Sequence, residues 1–124
     1  MSLLRGLLGN AAEIDAQEIE GEFSKLIAEG EQVQKVYKVI RDRMVFTDRR
    51  LVLVDRQGMT GKKTEYHSIP YRNITHFLVE SAGHLDLEAE LKIWVSGDPG
   101  PICKTFRRDG SIYDVQRALA AYVK

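Results

Sequence analysis

Three histidines, one cysteine and one tryptophan are the scarcest reactive side chains in this 124-residue chain, and their spacing limits the available chemistry. His67, His76 and His84 form no i, i+4 helical pair, and Cys103 lies far from all three, so no zinc-ligand spacing exists. His67 and His76 are candidates for cross-strand neighbours, a placement that suits surface hydrogen bonding. No G-x-S-x-G, phosphate-binding glycine loop or H-E-x-x-H sequence is present. Asp86, Glu88 and Glu90 alternate along one segment, as on a solvated strand face. The expectation is a non-enzymatic protein with no catalytic residue, no metal and no cofactor.

Binding chemistry has better material. Arg41, Arg43, Arg49, Arg50, Arg56, Lys62 and Lys63 supply guanidinium and ammonium groups suited to phosphates or acidic surfaces. Arg41, Arg43, Lys62 and Lys63 fall near strand ends that converge, and they are the candidate anionic-ligand residues. Arg49 and Arg50 belong to the opposite turn, which divides the patch and weakens a membrane reading. Trp94 stands in register with charged residues on a polar strand face, a position for an interface aromatic. Phe23 and Ile27 lie on the stripe of an acidic amphipathic segment. Membrane-surface helices are usually rich in Lys and Arg on the polar face, so this segment is expected to dock on its own or a neighbouring subunit.

The 18 Lys+Arg balance the 18 Asp+Glu, but unevenly along the chain. Residues 1–34 carry two cations against seven anions, residues 35–72 ten against four, and residues 73–124 six against seven. An acidic start followed by a basic middle suits mutual neutralisation, or a basic surface for an anionic partner. Overall neutrality gives no sign of a nucleic-acid binder. A secretory core needs about 7–15 apolar residues and a spanning helix about 20, and neither run occurs. With one cysteine, a reducing, cytoplasmic setting is expected.

The elements that must position these residues follow from periodicity. Acidic residues crowd the early turns of an N-terminal helix, where they suit the helix dipole. Ile19, Phe23, Leu26 and Ile27 make its apolar stripe, and Gly30 is placed to end it. Strands are predicted over residues 33–40, 43–47, 50–54, 63–69, 74–80, 85–95 and 102–106, with short turns that favour an antiparallel meander. The 85–95 strand is the clearest: Leu85, Leu87, Ala89, Leu91, Ile93 and Val95 alternate with Asp86, Glu88, Glu90, Lys92 and Trp94. At about 3.3 Å per residue it spans roughly 33–36 Å, long enough to bend across two sheets. A terminal helix presents Ile112, Val115, Leu119 and Tyr122, with Ser111 and Asp114 resembling a capping pair.

Seven strands and one terminal amphipathic helix fit a mainly β fold of two near-orthogonal sheets whose open corner the helix plugs. Residue runs reinforce this: Tyr37 to Arg43 (YKVIRDR), Phe46 to Asp55 (FTDRRLVLVD), Gln57 to Lys63 (QGMTGKK), Tyr66 to Tyr71 (YHSIPY), Ile74 to Phe77 (ITHF) and Glu88 to Trp94 (EAELKIW). Together they closely resemble the bacterial pleckstrin-homology (PH) domain family, formerly a domain of unknown function. The resemblance implies a PH-like barrel at residues 31–124, an N-terminal helical extension at residues 1–30, and ring-like homo-oligomers, pentamers in particular.

PH-like folds host lipid, phosphopeptide and protein binders. Phosphoinositide-binding relatives carry cations around a long first hairpin loop, whereas Arg41-Asp42-Arg43 offers cations with little cradle. The tryptophan of the eukaryotic terminal helix is absent, and Tyr113 and Tyr122 stand in this one. The expected function is therefore a self-assembling module that scaffolds a protein partner. The alternative is anionic lipid or phosphate binding through Arg41, Arg43, Lys62 and Lys63.

Overall fold

The computed structural model describes residues 21, 23–39, 42–57, 63–80, 88–107 and 110–123. Seven antiparallel strands in two sheets are followed by one C-terminal helix. The chain divides into two compact units, Met1–Ser68 and Ile69–Lys124.

In the first unit, β1 (Val33–Val39), β2 (Asp42–Thr47), β3 (Arg50–Gln57) and β4 (Lys63–Pro70) lie side by side in chain order. This is the meander that the short turns predict. Val39 pairs with Asp42 at the first hairpin, and Phe46 with Leu51 at the second. β3 runs on to Gln57, past the apolar run that marked it in sequence, and the Arg56 N–H donates to Asp42 Oδ1 at 3.2 Å. Residues 44–47 and 51–54 are all buried. A strand buried on both faces needs an unbroken apolar run rather than alternation, which is why Leu51 to Val54 reads LVLV.

On one face, Val36, Val45, Val52 and Val54 form a cluster with Phe23. Leu26, Ile27, Val33 and Tyr66 pack against it, and the Phe23 and Tyr66 rings meet edge to face at 6.4 Å. The amphipathic segment thus docks on its own chain, with Phe23 only 2% exposed. Its helical turn ends where Leu26 and Ile27 both donate to the Phe23 carbonyl, and Gly30 then takes φ 83°. Ile19, the first member of the predicted stripe, lies outside the described residues.

In the second unit, a 3-10 turn (Tyr71–Asn73) leads to β5 (Ile74–Glu80), β6 (Glu88–Val95) and β7 (Ile102–Arg107), which form a sheet in that order. Ala89, Leu91, Ile93 and Phe106 are buried, as the alternation requires. The first residues of the predicted 85–95 strand, Leu87 among them, lie outside the described residues. Helix α1 (Ser111–Tyr122) lies against all three strands and buries Ile112, Val115, Ala118 and Leu119. Tyr122 is half-buried and stacks on Tyr71, centroids 5.4 Å apart, while burial raises its hydroxyl above the usual tyrosine range.

Two local expectations are corrected. The residue capping α1 is Gly110, at φ 85°, so Ser111 is the first helical residue rather than the cap. A left-handed entry suits glycine, and Asp114 accepts a hydrogen bond from Arg117 one turn on. His67 and His76 are not cross-strand neighbours, because β4 and β5 belong to different sheets.

Candidate functional site

The side of the three-stranded sheet away from the buried row carries a mixed set of aromatic, aliphatic and charged side chains. The β5–β6 register places His76 beside Trp94, Leu78 beside Lys92, and Glu80 beside Glu90. The β6–β7 register adds Cys103 beside Lys92, Thr105 beside Glu90, and Arg107 beside Glu88. The result is a graded face with aromatic rings at one end, an aliphatic and basic row next, and acidic rows beyond. Leu78 on this face is 45% exposed, as is Tyr113 on the helix.

The aromatic end is ordered by a small network. The His76 and Trp94 rings stack with centroids 4.3 Å apart and planes 15° from parallel. A register shift between Ile74 and His76 accompanies this pairing. Thr75 Oγ1 lies 3.2 Å from the Trp94 carbonyl and 3.0 Å from His76 Nδ1. The Thr75 hydroxyl donates to the Trp94 carbonyl and shares a second hydrogen bond with His76 Nδ1. Trp94, singled out from the sequence as an interface aromatic, is half-buried here and presents a preset ring.

The cations sort into two groups. Arg43, near the start of β2, and exposed Lys63, first residue of β4, belong to the same end of the four-stranded sheet. Arg43 is half-buried and donates to the Asp42 carbonyl at 3.3 Å. Arg41 and Lys62, the other two candidate ligand residues, lie outside the described residues. Arg49 and Arg50 occupy the opposite end, as the hairpin pattern predicts.

Arg50 has a structural task that sequence reasoning missed. Its Nε and Nη2 donate to the two Glu31 carboxylate oxygens at 2.8 and 2.9 Å, a bidentate pair. Nη2 also donates to the Leu26 carbonyl at 2.8 Å, and Nη1 to Ser68 Oγ at 2.7 Å. Glu31 accepts further bonds from Thr47 Oγ1 at 2.7 Å and the Ala28 N–H at 3.0 Å. Arg50, opposed by burial but helped by Ala28 and Thr47, holds the Glu31 carboxyl at a pKa of about 2. Glu31 in turn raises the Arg50 guanidinium further. The pair fastens the N-terminal segment to the sheet. Phe23 and Ile27, the other candidate interface residues, serve the same docking, Phe23 buried and Ile27 half-buried.

Among the described residues no group of three or more His, Cys, Asp or Glu side chains is placed to hold a metal, and no helix is long and apolar enough to cross a membrane.

A four-stranded and a three-stranded antiparallel sheet, ended by an amphipathic helix, define a pleckstrin-homology-like module. The chain belongs to the bacterial PH domain family, which it matches over residues 2–123. It is 52% identical over 122 residues to the uncharacterised protein YjqA of Bacillus subtilis strain 168, with 98% of each chain covered. Among solved structures, the pleckstrin homology domain from Shewanella amazonensis SB2B is similar, with TM-score 0.83, 45% identity and 98% of both chains covered. A DUF1696 family protein with a pleckstrin-homology domain from Shewanella loihica PV-4 gives TM-score 0.78 and 45% identity, covering 94% of this chain and 99% of that one.

Proposed function

We propose that the protein is a non-enzymatic PH-like interaction module that self-assembles through strand edges into a ring-like homo-oligomer, a pentamer, and scaffolds a protein partner. The observation that carries this reading is the pair of open sheets. In each sheet's own order, β1 and β4 flank one and β5 and β7 the other, so among the described residues four strands have a hydrogen-bonded sheet neighbour on one side only. Such edges are templates for another chain's strand. Edges of different strands are different surfaces, which is what a head-to-tail contact needs to close a ring. β7 is the most regular of the four: β1 and β5 carry register shifts, β4 ends in Pro70, and the β6–β7 register is unbroken.

Light scattering on proline variants of β7 tests this. Successive strand N–H groups point to opposite sides, so Lys104→Pro and Thr105→Pro remove one inward and one outward donor. The outward variant is expected to stay folded by circular dichroism and to fall to the 14.1 kDa single-chain mass. A folded outward variant that keeps the wild-type mass removes β7 from the assembly.

Anionic lipid or phosphate binding is the second reading. It is favoured by the placement of Arg43 and Lys63 at one end of the same sheet.

A further inference from the structure

We propose that the segment from Phe23 to Glu29 is a releasable strap, which lifts about Gly30 and uncovers an apolar sheet face that docks the C-terminal turn of an amphipathic helix from a partner protein. The surface is a face of the first sheet, so it goes beyond assembly through strand edges and can exist with or without a ring. Register builds it. Val36 pairs with Val45, and Val45 with Val52, which lays a row of valines across β1, β2 and β3, with Val54 two residues further along β3. Phe23, Leu26 and Ile27, at i, i+3 and i+4, pack on this row, while Ser24, Lys25, Ala28 and Glu29 stay exposed. One short helical turn is thus the built-in occupant of the face.

The ties of this turn divide at Gly30, which holds φ 83°. After Gly30 the chain is anchored: Glu31 is held by Arg50 and Thr47, the Gln32 N–H donates to Asp48 Oδ1 at 2.8 Å, and the Gln32 carbonyl accepts from the Asp48 N–H at 3.0 Å. Before Gly30 the ties are backbone ones. The Leu26 carbonyl accepts from Arg50 Nη2 at 2.8 Å, and the Ala28 N–H donates to Glu31 Oε1 at 3.0 Å. The Ala28 carbonyl accepts from the Glu31 N–H at 2.9 Å, and the Glu29 carbonyl from Arg49 Nη2 at 3.5 Å. The Glu31–Arg50 pair therefore stays with the sheet when the strap lifts, and it presents a guanidinium to the carbonyl end of whatever turn lies on the valines. A cation there complements the unpaired carbonyls of a helix C-terminus. This fixes the chemistry of the partner: an apolar i, i+3, i+4 stripe that ends in carbonyls facing Arg50. Lifting the strap gives up the burial of one turn only, so it is a local opening rather than unfolding of the sheet.

Hydrogen exchange on the 124-residue chain reads the opening. The Leu26, Ile27 and Ala28 N–H groups are expected to share one opening constant, about tenfold or more above that of the Gln32 N–H and the β2–β3 ladder. Fluorescence anisotropy reads the docking, with a labelled peptide of residues 17–29 of this chain standing in for the partner helix. Phe23→Ala and, separately, Leu26→Ala weaken the built-in strap but leave the valine row, so each variant should bind the peptide about tenfold or more tightly than wild type. A peptide carrying Phe23→Ala should not bind. Circular dichroism checks that the variants fold, and Leu26, being only half-buried, supplies the test where Phe23→Ala unfolds. Strap amides that exchange only as slowly as the β2–β3 ladder overturn the release. Peptide binding that neither variant strengthens overturns the docking face. Either failure leaves assembly through strand edges standing, because that is read by particle mass and not by peptide binding.

Discussion

Replacing Glu31 by Gln removes one negative charge from a carboxylate that accepts bonds from Arg50 Nε, Arg50 Nη2, Thr47 Oγ1 and the Ala28 N–H. The magnitude follows from linkage. In the folded chain the carboxyl titrates at about 2, against 4.5 for the unperturbed group. Each pKa unit is worth about 1.4 kcal/mol, so the charged form contributes about 3 kcal/mol to folding. Because the folded pKa is the depressed one, this stability is complete above about pH 4.5 and is lost as pH falls towards 2. Urea unfolding at fixed protein concentration, followed between pH 7 and pH 2, measures it. Wild type is expected to lose about 3 kcal/mol more than Glu31→Gln across the acid limb. At pH 7 the variant should unfold at a temperature lower by about 10 °C. Parallel acid limbs for the two proteins, or equal stability at pH 7, would refute the fastening role of this pair.

Other perturbations probe separate parts of the molecule. Gly30→Ala and Gly97→Ala should each destabilise by about 1–2 kcal/mol in thermal melts, because both glycines hold positive φ. Leu119→Ala, at a fully buried α1 position, should cost about 2–5 kcal/mol in chemical denaturation. A double-mutant cycle of His76→Ala and Trp94→Ala should return a coupling of about 0.5–1.5 kcal/mol for the stacked pair. If anionic lipid is the ligand, Arg43→Ala with Lys63→Ala should lower sedimentation with phosphatidylserine vesicles at low salt. Equal sedimentation would exclude both residues.

Local patterning reveals most of the fold, and the reasons are visible in single segments. The LVLV run of β3 and the alternation of β6 report two-sided and one-sided burial directly. Gly30 marks the end of the N-terminal segment because its φ of 83° suits glycine. The sequence favours Ser111 as the cap because a serine with an acid three residues on satisfies the capping pattern, whereas Gly110 takes the cap position at φ 85°. The Glu31–Arg50 pair was invisible because the two groups lie 19 residues apart and meet only after the N-terminal segment docks. Two signs pointed towards it: an acidic segment followed by a basic one, and a charged residue at the start of an apolar run. The His76–Trp94 stack escaped because the register shift after Ile74 decides which β5 residue faces Trp94. Trp94 itself stood out by type, as the one large aromatic on the polar side of a strand.

Native mass spectrometry of the 124-residue chain tests self-assembly most directly, by counting chains in the intact particle. A closed species of five chains is expected. A spectrum made up of the 14.1 kDa single chain at micromolar concentration would contradict it.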